Sequence, residues 1–247
     1  MARPSWKIKI ALVLLVSSAV LSALHVLIFR DAPTLFFYIV LDIVFVPIQV
    51  LLVTIIIEHL LSERERQSVL QKMNMVIGAF FGEAGNRLIS QMGSTCVDFP
   101  KLEESLAVAT HWRRSDFKTA SEFIENYECR FGPEEEHLEE LKAFLLKKRA
   151  FMLGLLQNSN LLEHDRFTDL LWAVCHLTEE LEARQDLANL PASDLRHIEG
   201  DIQRAFGLLV REWLAYMLHL RKNYPYMYSL SVRMNPFNPD ASPVVTG

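Results

Sequence analysis

The sequence predicts an all-α protein, with an N-terminal two-helix transmembrane hairpin continuous with a cytoplasmic helical bundle. Three observations predict this. Residues Ile10 to Phe29 form one uninterrupted apolar run, and Leu35 to Ile57 form another with one acid, Asp42. Twenty helical residues rise about 30 Å, the thickness of a bilayer's hydrocarbon core. Beyond the second run, apolar residues recur at helical rather than strand spacing, and strand signals are nearly absent. Residues 1–61 therefore read as the hairpin, with spans of about 10–29 and 35–57.

The connecting residues Arg30-Asp31-Ala32-Pro33-Thr34 are short and nearly neutral, whereas Arg3, Lys7 and Lys9 precede the first run and Arg64 and Arg66 follow the second. By the positive-inside rule both termini are expected in the cytoplasm, with the protein in the plasma or inner membrane. A cleaved signal peptide fits poorly, because the first apolar run continues ten residues past Ala19 and a second follows. Pro47 should kink the second span.

No glycine or proline interrupts Glu58 to Arg66. The second span is expected to leave the membrane as one helix, with residues 62–92 forming a juxtamembrane segment that Gly93-Ser94-Thr95 ends. Residues 93–223 read as the bundle. Lys101 to Trp112 has a helical face of Leu102, Leu106 and Ala109. A cap at Ser115-Asp116 opens a helix carrying Phe117, Ala120, Phe123, Ile124 and Tyr127. Pro133 followed by Glu134-Glu135-Glu136 starts another, since proline suits the first turn and carboxylates its positive dipole end. A break at Asn158-Ser159-Asn160 precedes a helix over 161–185. Leu190-Pro191-Ala192-Ser193-Asp194 starts the last long helix, to about Asn223. Residues 224–247 form an aromatic, proline-rich tail. Its first part, 224–234, reads equally as an extended strand or a short helix, and disorder is expected beyond Asn238.

The chain carries a net charge of −5. Residues 1–61 hold Arg3, Lys7, Lys9 and Arg30 against Asp31, Asp42 and Glu58, so the acidic balance lies in the remainder. An acidic soluble part argues against nucleic acid as a partner. The three cysteines, Cys96, Cys129 and Cys175, show no zinc-type spacing. They are expected to be reduced, with Cys175 a small core residue.

Polar residues within apolar spans are costly and attract a functional reading first. Ser18, Ser22 and His25 share one stripe of the first span, and Tyr38, Asp42 and Gln49 nearly share one on the second. Counted from the loop, His25 and Asp42 lie at depths that let them meet. Interhelical hydrogen bonding within the hairpin or between copies is the favoured reading. An ion-handling site in an oligomeric channel is the alternative.

Gly78, Gly82 and Gly85 recur at i, i+4, i+7 and predict a smooth seam for close helix packing, in the bundle or between copies. Asn235-Pro236-Phe237 forms a turn that presents an aromatic ring, a candidate docking tripeptide, although packing of the tail onto the bundle is favoured. Glu134-x-x-His137 and Asp194-x-x-His197 have a spacing used by metal-binding bundles, and Asp169, His176 and Glu180 share a face. Since both pairs lie in first turns, where acids complement the dipole, all are read as surface groups and no metal or cofactor is expected. HExxH, GxSxG, P-loop and GxGxxG motifs are absent from the sequence, and Ser115-x-x-Lys118 lacks companion elements. The expected function is a non-enzymatic, membrane-anchored interaction or signalling module. Its expected partners are the bilayer, further copies of itself and a cytoplasmic protein. The alternative is a subunit of a small oligomeric channel or transporter.

Overall fold

A computed structural model describes residues 6–158 and 164–245. Arg3, the expected break at Ser159-Asn160 and the expected helix start at Leu161 lie outside the described residues. Among the described residues there is no strand, and nine α-helices alternate with short turns. The chain divides into two units, Met1–Arg66 and Gln67–Gly247.

The first unit contains α1 (Trp6–Phe29) and most of α2 (Ala32–Phe80). Both are long and apolar enough to cross a membrane: 22 residues over Ile8–Phe29 and 34 over Ala32–Glu65. The connection is tighter than the sequence suggests, because Ala32, Pro33 and Thr34 already belong to α2. Asp31 caps that helix, its Oδ1 accepting from the Thr34 amide at 3.1 Å. Pro33 fits the first turn, where its missing N–H is no loss. Arg30 ends α1 in the left-handed region at φ 53°, and its amide still bonds to the Val26 carbonyl at 2.9 Å. That conformation costs a side-chain-bearing residue some strain, but it lets two residues reverse the chain.

The second unit has one contiguous apolar core. It begins with Met73, Ile77 and Phe80 on the last turns of α2. A π-helical turn, Phe81–Gly85, then interrupts the α-helical pattern before α3 (Asn86–Gly93). This corrects the expectation of uninterrupted α-helix to Met92. The helices α4 (Phe99–Leu106), α5 (Arg114–Asn126) and α6 (Glu135–Leu156) come next, then α7 (Asp165–Ala183), α8 (Ala192–Asn223) and α9 (Pro225–Arg233).

The spine is α8, with α3, α5, α7 and α9 packed against it. Its Ile202, Phe206, Leu209, Trp213, Met217 and Leu220 recur at helical spacing and are all buried. A Cβ on Gly93 would come within 2.7 Å of the Phe99 ring, so this helix end needs glycine for close approach.

Local signals differ from expectation at three places. The helix expected to Trp112 ends at Leu106. Ser115 is not the cap of α5; Asp116 reaches back to accept from the Arg113 amide at 2.6 Å. The segment after Tyr224 is helical, because Pro225 supplies a first-turn residue and the Tyr228 amide bonds to the Tyr224 carbonyl at 3.0 Å.

The cysteines also differ from expectation. Cys96 and Cys129 form a disulfide, with Cα atoms 6.0 Å apart across a sequence separation of 33 residues. They lie where Cys96 pairs with Phe131 in an isolated antiparallel bridge, flanked by Val97 N–H to Arg130 O at 2.9 Å and Gly132 N–H to Thr95 O at 3.0 Å. Spacing along the chain gives no sign of this, because the bridge forms between two loops that the core brings together. Cys175 is a free, buried thiol, and burial pushes its pKa up.

Candidate functional site

Within the first unit, polar side chains do not form the expected pairs. Asp42, Gln49, Tyr38 and Ser18 are exposed, and Ser22 and His25 are half-buried. His25 packs at 4.9 Å, its ring tilted, against Phe29 one turn further along α1. Its Nδ1 is buried without a hydrogen-bond partner. No ion pair joins it to Asp42 among the described residues. Depth counted along a helix fixes height only, whereas pairing also requires the two stripes to face each other.

The three glycines do not make one seam within the chain. A Cβ on Gly78 would meet the Tyr216 hydroxyl at 3.0 Å. One on Gly85 would meet the Phe81 ring at 2.5 Å, while Gly82 faces open space. The π turn accounts for this, because its extra residue rotates the succeeding turn away from the i, i+4, i+7 face. Gly78 instead opens a groove of about 410 Å³ with Met75, Tyr216, His219, Tyr224 and Met227. Burial depresses the His219 pKa.

The tail tripeptide is core. Asn235 and Phe237 are each 1% exposed. Asn235 Nδ2 donates to the Leu106 carbonyl at 3.1 Å, and its Oδ1 accepts from the Phe237 amide at 2.9 Å. Phe237 packs on Trp213 at 5.3 Å and on Phe99 at 6.3 Å. The docking reading is therefore corrected: the turn aims its ring inward. Beyond it, the Ser242 amide returns to the Arg233 carbonyl at 3.1 Å, so the segment expected to be disordered makes a contact of its own.

Charged groups converge where α7 ends and α8 begins. His176 and Glu180 lie one turn apart on α7, as do His197 and Asp201 on α8. His176 Nε2 is 3.9 Å from Glu180 Oε1 and 3.6 Å from Asp201 Oδ2. His197 Nε2 is 3.6 Å from Glu180 Oε2 and 3.5 Å from the same Asp201 Oδ2. Two arginines also hold these carboxylates, Arg184 sharing Glu180 Oε2 with His197. Arg184 donates to Glu180 Oε2 at 2.7 Å and takes Asp194 in a two-pronged grip at 2.6 and 2.8 Å. Arg204 donates to Asp201 Oδ1 at 2.9 Å.

Hydrogen bonds from Arg184 hold the carboxyls of Glu180 and Asp194 below their ordinary pKa, and those bonds raise Arg184 in turn. The expectation of separate surface residues describes Asp169, which is exposed. Asp201, which that expectation does not name, is 3% exposed and sits at the centre of the cluster. The sequence signal for the cluster is His-x-x-x-acid occurring twice, His176 to Glu180 and His197 to Asp201. The more familiar i, i+3 pairs obscure it.

A second buried acid, Glu212, lies 3.8 Å from His164 Nε2 and 3.9 Å from Arg166 Nε. Burial raises its pKa despite the neighbouring His164 and Arg166. Ser115 and Lys118 share a separate groove of about 610 Å³ with Arg114, Arg166 and Arg211. Lys118 faces Glu122 at 3.4 Å rather than activating Ser115.

Comparison with known proteins gives two family matches. Residues 69–233 match "Uncharacterized protein MJ1433, C-terminal helical domain", and residues 2–61 match "MJ1433, N-terminal helical domain". The chain is 41% identical over 229 residues to the uncharacterized protein MJ1433 of Methanocaldococcus jannaschii, covering 93% of this chain and 92% of that one. No solved structure matches. With both helical regions matched in order, the chain belongs to the MJ1433 family.

Proposed function

We propose that the protein is an integral membrane protein that anchors a non-enzymatic helical interaction module through its N-terminal hairpin. The observation that carries this reading is the exposed apolar surface of α1 and α2. Leu27 is 76% exposed, Phe36 69% and Ile43 66%, among many comparable side chains. Leaving one such side chain in water forfeits about 1.5–3 kcal/mol. Across two helices this reaches tens of kcal/mol, well beyond the roughly 5–15 kcal/mol that holds a domain together. A bilayer removes that cost, and the 22-residue run of Ile8–Phe29 suits its thickness.

Both termini lie in the cytoplasm in this reading. The cysteines no longer support it, because a disulfide belongs more often to oxidising compartments. The orientation rests on the basic residues before α1, on Arg64 and Arg66 after the second apolar run, and on the nearly neutral loop between the runs. Asp42, exposed on an apolar helix, calls for a partner in lipid, and a second copy of the hairpin would supply one. A reporter fused after Gly247 tests the topology: activity only in the cytoplasm is expected, and activity outside overturns it.

The channel alternative rests on the same exposed Asp42. It requires a cation or proton flux in proteoliposomes that Asp42→Asn abolishes while assembly persists. No flux from the parent protein under ion or pH gradients removes that alternative.

A further inference from the structure

The charged cluster between α7 and α8 has a composition that ion pairing alone does not account for. Two imidazoles approach one carboxylate oxygen, Asp201 Oδ2, at 3.6 and 3.5 Å. That oxygen is buried and has no hydrogen-bond partner, on a residue that is 3% exposed. Leaving a buried acceptor unpaired is costly. Arg204 satisfies the other oxygen of the same carboxylate at 2.9 Å. The unpaired atom thus points at the two histidines by a fixed geometry rather than by chance rotation.

We propose that His176, Glu180, His197 and Asp201 form a binding site for a divalent transition metal, zinc foremost. Zinc prefers four ligands in a tetrahedron, at about 2.0–2.1 Å from histidine nitrogens and carboxylate oxygens. The edge of such a tetrahedron is about 3.3–3.4 Å by geometry. His197 and His176 Nε2 stand 3.5 and 3.6 Å from Asp201 Oδ2, and His176 Nε2 stands 3.9 Å from Glu180 Oε1, so three edges of such a tetrahedron already lie within about 0.6 Å of its length. One ligand atom each from His176, Glu180 and Asp201 falls within 4.8 Å of the others. His197 lies outside that triplet and reaches Asp201 Oδ2 at 3.5 Å from one turn earlier on α8, so it completes the set by a small movement of its side chain.

The ligand types select the ion. Two imidazoles with two carboxylates suit zinc or a neighbouring first-row ion, whereas magnesium and calcium prefer all-oxygen shells. The surroundings supply the outer layer that metal sites use to orient their ligands. Arg204 fixes Asp201 through Oδ1, and Arg184 fixes Glu180 through Oε2, leaving Oδ2 and Oε1 for the ion. Two positive guanidiniums lower affinity somewhat, and Asp194 neutralises one of them at 2.6 Å. Each helix gives one histidine and one acid a turn apart, so the ion would clip α7 to α8. This site is independent of the membrane reading.

The test uses the purified full chain in detergent, stripped with a chelator and then titrated with zinc. One zinc per chain is expected, with a rise in melting temperature. Cobalt(II) in its place should give the intense visible bands of a tetrahedral ion. Asp201→Asn and His176→Gln should each weaken zinc binding about tenfold or more. His176 is 45% exposed at its side chain, so its substitution leaves the fold intact even if Asp201→Asn does not. His137→Gln, outside the cluster, should bind as the parent does. A parent chain that binds no zinc at micromolar concentration overturns the proposal. So does equal affinity in the parent and His176→Gln, since the ion would then sit elsewhere.

Discussion

Gly82 and Gly85 are three residues apart in sequence yet meet different surroundings. Gly82 faces open space, so Gly82→Ala should keep or raise the melting temperature, gaining up to about 1 kcal/mol of helix propensity. A Cβ on Gly85 would lie 2.5 Å from the buried Phe81 ring, so Gly85→Ala should lower it by about 1–3 kcal/mol of stability. Thermal unfolding of the two variants by circular dichroism separates them. A larger side chain at Gly82 that dissociates an oligomer without changing the monomer's stability would assign that glycine to contact between copies. Phe237→Ala should cost about 3–5 kcal/mol, as for a large core aromatic, whereas an exposed docking ring would cost almost nothing. Glu212 gives a pH signature. Its pKa is raised in the folded state, so its contribution favours folding below the ordinary carboxylate range and is lost as pH rises through the folded value. Glu212→Gln should therefore gain stability over the parent as pH rises from about 4 to 8, the ordinary carboxylate range upward. Denaturant unfolding at both ends of that range checks the sign.

At the scale of elements, helices with strong local punctuation are legible in the sequence. Pro191 and Asp194 open α8, and Pro133 with its glutamates precedes α6, because these residues act on the helix end they occupy. The π turn is not legible. Phe81 to Gly85 carries two glycines but no proline or polar break to mark a π turn, and the turn is seen only in the folded chain, where Phe80 and Phe81 pack against Phe167 and Tyr216. The α7–α8 cluster is half legible: all four residues are on the right helices, but which faces meet depends on the angle between them. The disulfide is invisible for a similar reason, since 33 residues separate its halves. Closing a loop of that length should stabilise the fold by about 4 kcal/mol in the chain-entropy account. Cys96→Ser with Cys129→Ser should lower stability by an amount of that order. Reductant should lower the melting temperature of the parent and leave the double variant unchanged.

For the whole molecule, the two units solve opposite solvent problems. The unit from Gln67 onward closes a continuous core around α8, burying Trp213, Phe167 and Phe237. The unit before it exposes nearly every apolar side chain it has. The apolar runs are fully legible, because length and composition alone decide whether a helix can span a bilayer. Their polar residues are less so, since His25 and Asp42 need an orientation about the helix axis that hydropathy does not carry. Whether α1 and α2 hold the protein in a membrane is tested most directly by alkaline carbonate extraction of membranes from cells expressing the full chain. The protein should stay in the membrane pellet and be released only by detergent. Release into the carbonate supernatant would contradict membrane insertion and would require the exposed faces of α1 and α2 to be covered by protein instead.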